Sequence, residues 1–100
     1  MKLKTEKLEK LITENMVSNY ANVSGDFNPI HLDDEYAKNT EFKNKIVHGM
    51  LLISNINEIM YLNFDDNWNK KGSLKIKFRS PLFVNSKLIT NLKIKKIDKN

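Results

Sequence analysis

The apolar positions change period along the chain, and the changes mark the elements. Met16, Val17, Tyr20 and Val23 recur at spacings of one, three and three, which is one face of a helix. Thr13 is placed to cap that helix, and Glu14 suits the positive end of its dipole. Ser24-Gly25 should stop it, glycine being the usual residue just past a helix end. Residues 1 to 12 fit two patterns at once. Leu8, Leu11 and Ile12 have helical spacing, while the interleaved Lys and Glu also suit the wet face of an edge strand. Further on, Asp33 or Asp34 can cap a second short helix with Tyr36 and Ala37 on its apolar side. Residues 39 to 45 are polar except for Phe42 and read as a loop. The longest apolar run goes from Ile46 to about Leu62. Its Ile, Val, Met and Leu positions cover most of a helix circumference and leave Ser54, Asn55 and Glu58 as a narrow polar stripe. So apolar a helix must be enclosed by other structure.

Asp65 to Gly72 is polar apart from Trp68 and reads as a loop. The period then falls to two. Leu74, Ile76 and Phe78 alternate with Lys75, Lys77 and Arg79, and Ser80-Pro81 interrupts before Leu82-Phe83-Val84, which predicts a strand broken at the proline. Asn85-Ser86 is a turn signal, and Leu88, Leu92 and Ile94 predict a second half-wet strand to about Ile97. Helices first and antiparallel strands second make an α+β domain in which a sheet wraps a buried helix.

Composition narrows the function classes. One hundred residues, 40% hydrophobic and 29% charged, is a single globular domain near the lower size at which one core suffices. No cysteine is present, so disulfides, thiolate nucleophiles and cysteine-based zinc sites are excluded. Only two histidines are available, and no carboxylates stand with them at a recognisable metal spacing, so no metal is expected. The N-terminal stretch has alternating charges, not the apolar run of a signal peptide, and no stretch is apolar enough to span a bilayer. A cytoplasmic protein without a membrane partner is expected. The net charge of +5 comes from lysines with Arg79 as the single arginine, alongside many Asn and Ile residues. An AT-rich genome produces that bias by itself, so no nucleic-acid partner is inferred from it.

Two short stretches carry candidate chemistry. In Ser24-Gly25-Asp26-Phe27-Asn28-Pro29-Ile30-His31, Gly25 and Pro29 oppose a regular helix, and the resulting bend lets Asp26 and His31 converge. A neutral imidazole can take or return a proton near pH 7 and a carboxylate can hold a water, while the Asn28 amide can orient either partner. The plainer reading is a turn rich in Asp and Asn beside a surface histidine. In Ile46-Val47-His48-Gly49-Met50-Leu51-Leu52, a glycine costing roughly 1 kcal/mol against alanine stands in the first turn of the most buried helix. There it lets a ligand approach N–H groups without intrahelical partners, and such a group can stabilise an oxyanion. Close packing against a neighbouring strand would equally explain Gly49. His48 is either a ligand-binding or supporting residue or a capped core histidine.

Together with Tyr36-Ala37 and Phe42, these two stretches closely resemble the hydratase motif of the MaoC-like dehydratases, the (R)-specific enoyl-CoA hydratases of the hotdog fold. The likeness is dense from about Thr13 to Leu52 and weaker through Phe78, Pro81 and Phe83-Val84. It implies an antiparallel sheet around a long central helix, and a homodimer acting on an acyl-CoA or acyl carrier protein thioester in fatty acid metabolism. It implies a lyase that hydrates trans-2-enoyl thioesters, or dehydrates the (R)-3-hydroxy product, with Asp26 and His31 as the acid–base pair. By the same likeness the Gly49 N–H polarises the thioester carbonyl, Asn28 is the supporting amide, and neither a metal nor a redox cofactor is needed. Two departures stand out. Asn85-Ser86 replaces the usual Gly-Asp, and the chain ends about where the family's third strand ends, which predicts a short hotdog domain over residues 1–100 lacking the last two strands. The family's order puts those two strands between the second and third, whereas the local pattern makes residues 74 to 97 a hairpin, and the two expectations exclude each other. Open strand edges invite pairing with another chain. The alternative function is therefore a catalytically silent hotdog remnant that binds an acyl thioester or a partner chain.

Overall fold

In the computed structural model, which describes residues 2–97, the elements run β1 (Lys7–Ile12), α1 (Glu14–Ser24), α2 (Pro29–Leu32), α3 (Asp34–Lys38), α4 (Gly49–Phe64), α5 (Asp66–Lys71) and β2 (Ser86–Asn91). The ambiguous first segment is a strand. β1 pairs antiparallel with β2, Lys7 opposite Asn91 and Ile12 opposite Ser86. This register turns Leu8, Lys10 and Ile12 inward and leaves Leu11 55% exposed, so Leu11 is the residue that made the pattern look helical. Lys10 stays solvated at its tip and pairs with Glu58 of α4.

Local signals set α1 and α3 as expected. The Thr13 hydroxyl accepts the Met16 N–H, and Gly25 ends α1 at φ 78°, its N–H bonded to the Ala21 carbonyl at 2.9 Å. The Asp33 carboxylate accepts the Tyr36 N–H at 3.2 Å and caps α3. Other expectations are corrected. Pro29 does not keep the loop from being helical but occupies the first position of the one-turn α2, where its missing N–H and fixed φ are tolerated. The long helix begins at Gly49, not Ile46, because Ile46 and Val47 are drawn into extended pairing. Val47 N–H donates to the Leu82 carbonyl at 2.8 Å, Val84 N–H to the Lys45 carbonyl at 3.1 Å, and Ile46 bridges Phe83. The stretch from Asp66 to Lys71 is the helix α5 rather than a loop.

The hairpin expected over residues 74 to 97 does not form. Among the described residues 73 to 79 enter no ladder, and β2 turns instead onto β1, ending at Asn91 rather than near Ile97. The Asn85 turn, at φ 68°, serves that change of partner, its N–H bonded to the Ile12 carbonyl at 2.7 Å. Ile12, Val17 and Val47 form the buried cluster, with Leu51 and Leu52 of α4 and Leu82, Val84 and Leu88 packed on it. Each of the three fully buried side chains contributes about 1.5–3 kcal/mol by leaving water. Enclosure of α4 is only partial. Ile59 is 1% exposed, whereas Met50, Tyr61 and Leu62 are 62%, 50% and 42% exposed. The expected polar stripe is also revised. Asn55 is buried and its amide donates to Thr90 Oγ1 of β2, and Asn63 bonds both the N–H and the carbonyl of Thr5. These bonds tie α4 to the sheet. No helix among the described residues is long and apolar enough to cross a membrane.

Candidate active site

Capping chemistry builds the loop that follows α1. The Asp26 N–H donates to Ser24 Oγ at 3.1 Å, the Asn28 N–H to Asp26 Oδ1 at 3.2 Å, and the Ile30 N–H to Asn28 Oδ1 at 3.2 Å. Asn28 therefore orients Asp26 through its backbone N–H, while its side chain caps α2 instead of bridging Asp26 and His31. Two bonds to Ile46 dock α2: its N–H donates to the Ile30 carbonyl, and its carbonyl lies 2.8 Å from His31 Nδ1.

A carbonyl only accepts, so His31 Nδ1 carries the hydrogen and the neutral ring leaves an unshared pair on Nε2. Asp26 Oδ2 lies 3.9 Å from that nitrogen, with the Asp26 side chain half exposed and that of His31 10% exposed. His48 stands behind both. It is 2% exposed, stacks on His31 with ring centroids 3.8 Å apart and planes 28° from parallel, and meets Tyr20 edge-on at 4.8 Å. Its Nε2–H donates to the Asp26 backbone carbonyl at 3.0 Å, which leaves Nδ1 buried without a partner. Because its ring is committed to Asp26, His48 caps α4 by position only, with no side-chain bond to the helix.

Gly49, the first residue of α4, has an N–H without an intrahelical acceptor. Gly49 and His31 line one cleft of about 350 Å³ whose remaining walls are mainly apolar, Val47, Leu52 and Phe78 among them, with Arg79 as its cation. A side chain at Gly49 would put Cβ 3.0 Å from Phe78 Cζ, so the glycine lets that ring approach closely and an alanine would displace it. Of the sequence candidates, Asp26, His31 and His48 come together, His31 and Gly49 line the cleft while Asp26 and His48 do not, and Asn28 stands aside. Phe78, Arg79 and Tyr20 were not anticipated. In the sequence Phe78 stands in an alternating run and in the weaker part of the likeness, and Arg79 in the run alone, neither with a site role.

The side-chain ligand atoms of Asp26, His31 and His48 lie within 4.8 Å of one another, close enough to raise a metal site. The stacked rings argue against a shared ion. A metal sits in the plane of each imidazole that binds it, and rings stacked 3.8 Å apart with planes only 28° from parallel do not meet within a metal–nitrogen bond of both rings.

The family model described as "MaoC like domain" matches residues 1–100. A 3-hydroxyacyl-[acyl-carrier-protein] dehydratase of Arabidopsis thaliana mitochondria is 39% identical over 70 residues, 70% of this chain and 41% of that protein. The (R)-specific enoyl-CoA hydratase of Aeromonas caviae is 31% identical over 88 residues, 88% of this chain and 66% of that one. The solved structure of the A. caviae (R)-hydratase superposes with a TM-score of 0.69 at 32% identity, covering 89% of this chain and 68% of the other. An Archaeoglobus fulgidus protein superposes with a TM-score of 0.77 at 27% identity, covering 100% and 64%. The chain thus spans about two fifths of the Arabidopsis relative and two thirds of the Aeromonas one.

Proposed function

Because the chain belongs to the MaoC-like domain family and has its hotdog fold, we propose that it serves the addition of water to trans-2-enoyl thioesters, giving (R)-3-hydroxyacyl thioesters, or the reverse dehydration. The observation that carries this reading is the His31 tautomer: with Nδ1–H committed to the Ile46 carbonyl, Nε2 is left as a base 3.9 Å from Asp26 Oδ2. That distance is too long for a hydrogen bond and short enough for one water to touch both groups. Asp26 Oδ2 accepts one O–H of the water while His31 Nε2 removes the other proton, and the oxygen bonds to C3. The displaced π electrons pass to the thioester oxygen, where the Gly49 N–H holds the charge, and the enolate then takes the proton back from the imidazolium at C2. Water is thereby added whole, and no oxidant or reductant is consumed. Asn28 and His48 support Asp26 without touching the reacting atoms.

The substrate arrives as the thioester of coenzyme A or of an acyl carrier protein, the carriers named in the Aeromonas and Arabidopsis relatives. A second copy of the chain covers the exposed Met50, Tyr61 and Leu62 of α4 as a homodimer, which sedimentation measures. The decisive assay is hydration of crotonyl-CoA with the chirality of the product determined. Acid–base help is worth about 10²–10⁴ in rate, so removing the base with His31→Gln should lose at least about 10². Undiminished turnover in that variant sinks the mechanism. The exposed apolar side chains also favour a second reading, a thioester-binding chain without turnover that associates with a different chain. A folded wild type that binds crotonyl-CoA without hydrating it selects that reading.

A further inference from the structure

The net charge conceals a division of the chain. Residues 1–66 carry seven lysines and eleven carboxylates, whereas residues 67–97 carry nine lysine or arginine residues and no carboxylate. The lysines of the first part are largely neutralised, as by Lys7–Glu9, Lys10–Glu58 and Lys45 between Glu14 and Asp34. Lys75, Lys77 and Arg79 are different. All three are exposed, and none has a carboxylate within salt-bridge distance among the described residues.

Their place matters more than their number. Arg79 lines the cleft shared by His31 and Gly49, and Phe78, one residue before it, lies against Gly49. Chain geometry keeps Lys75 within about 14 Å of Arg79, since four residues reach no further when fully extended. Lys75 and Lys77 therefore stand within that reach of the cleft wall. The chain's single arginine stands nearest the apolar walls, and its planar fork suits phosphate oxygens. An apolar cleft with one cation in its wall and two more within about 14 Å fits a ligand with an acyl end and a phosphate end.

We propose that Lys75 and Lys77, with Arg79 at the cleft wall, form a cationic track that recognises the phosphate of a phosphopantetheine-linked thioester. The proposal rests on the thioester reading for what fills the cleft. Its test measures binding, so it can fail while turnover stands, and lost turnover with intact phosphate preference would sink the catalytic reading alone. The shared chemistry, a pantetheine arm ending in phosphate, has two sources, coenzyme A and a holo acyl carrier protein.

The full chain is titrated calorimetrically with coenzyme A, with a holo acyl carrier protein, and with pantetheine, which has the arm and no phosphate. The wild type should bind at least one phosphate-bearing ligand about tenfold more tightly than pantetheine at low salt, with the margin shrinking as salt is added. Lys75→Glu/Lys77→Glu should abolish the margin, and Lys75→Arg/Lys77→Arg should keep it. Because both lysines are on the surface, unchanged circular dichroism and urea midpoint verify that the variants fold. Which of the two ligands has the margin identifies the source. The proposal is overturned if neither exceeds pantetheine, or if the margin survives the double glutamate substitution.

Discussion

Replacing His48 by alanine tests how the site is held. The imidazole is 2% exposed, packs against His31 at 3.8 Å and Tyr20 at 4.8 Å, and donates to the Asp26 carbonyl at 3.0 Å. Truncating a buried aromatic ring costs about 3–5 kcal/mol through lost burial and the cavity left behind, and the smaller, more polar imidazole belongs at the low end of that range. The lost hydrogen bond adds about 1 kcal/mol. Against these stands the removal of the unpartnered Nδ1, a buried acceptor whose desolvation costs about 1–3 kcal/mol in the native protein. The net expectation is a loss of about 1–3 kcal/mol, or about 4–24 °C in Tm for a chain of this size. Urea unfolding followed by circular dichroism measures it. His48→Gln, whose amide can still reach the Asp26 carbonyl, should fall between alanine and wild type in stability and, on the proposed function, should hydrate crotonyl-CoA faster than alanine. An alanine variant within about 0.5 kcal/mol of wild type, the range of ordinary surface substitutions, refutes the reasoning.

Two further substitutions probe the frame around the site. Gly25→Ala meets no neighbour within 4 Å of the new Cβ but must hold φ at 78°, so it should cost about 1–2 kcal/mol of backbone strain alone, read as a lowered urea midpoint. Lys45 is held protonated, its pKa raised from 10.5 chiefly by the hydrogen bond it donates to Glu14, with Asp34 adding to it and burial opposing it. A pKa higher in the folded than in the unfolded chain means stability fully present below the unfolded value and lost as pH rises through the folded one. The stability gap between wild type and Lys45→Met, up to about 1 kcal/mol because both carboxylates are largely solvated, should be constant from neutral to mildly alkaline pH and shrink above pH 10.5. Urea midpoints across that range check it, and a gap that widens contradicts the sign.

The sequence by itself determined the features that depend on near neighbours. Thr13 and Gly25 bound α1, Asp33 caps α3, and the apolar run after His48 is a long helix, because capping bonds and helical periodicity act over a few residues. The Asp26–His31 loop and the His48-Gly49 helix start were also legible, since residue type, glycine and proline mark them without reference to the rest of the chain. Only the tertiary structure decided the rest. β2 takes β1 as partner across more than seventy residues, and an alternating pattern says that a strand has a wet face without saying which strand lies beside it. The same limit misplaced the start of α4, where Ile46 and Val47 fit a helix by period but are claimed by Leu82 and Phe83. It hid α5, whose only large apolar side chain is Trp68, tied by its Nε1–H to Asn57 of α4. It also hid the roles of neighbours distant in sequence: the Ile46 carbonyl that sets the His31 tautomer, the His48 ring that holds the Asp26 carbonyl, and Phe78 and Arg79 at the cleft of Gly49. Bonds and packing between segments far apart in the chain have no local pattern to announce them, because the groups involved acquire their partners only when the whole chain has folded.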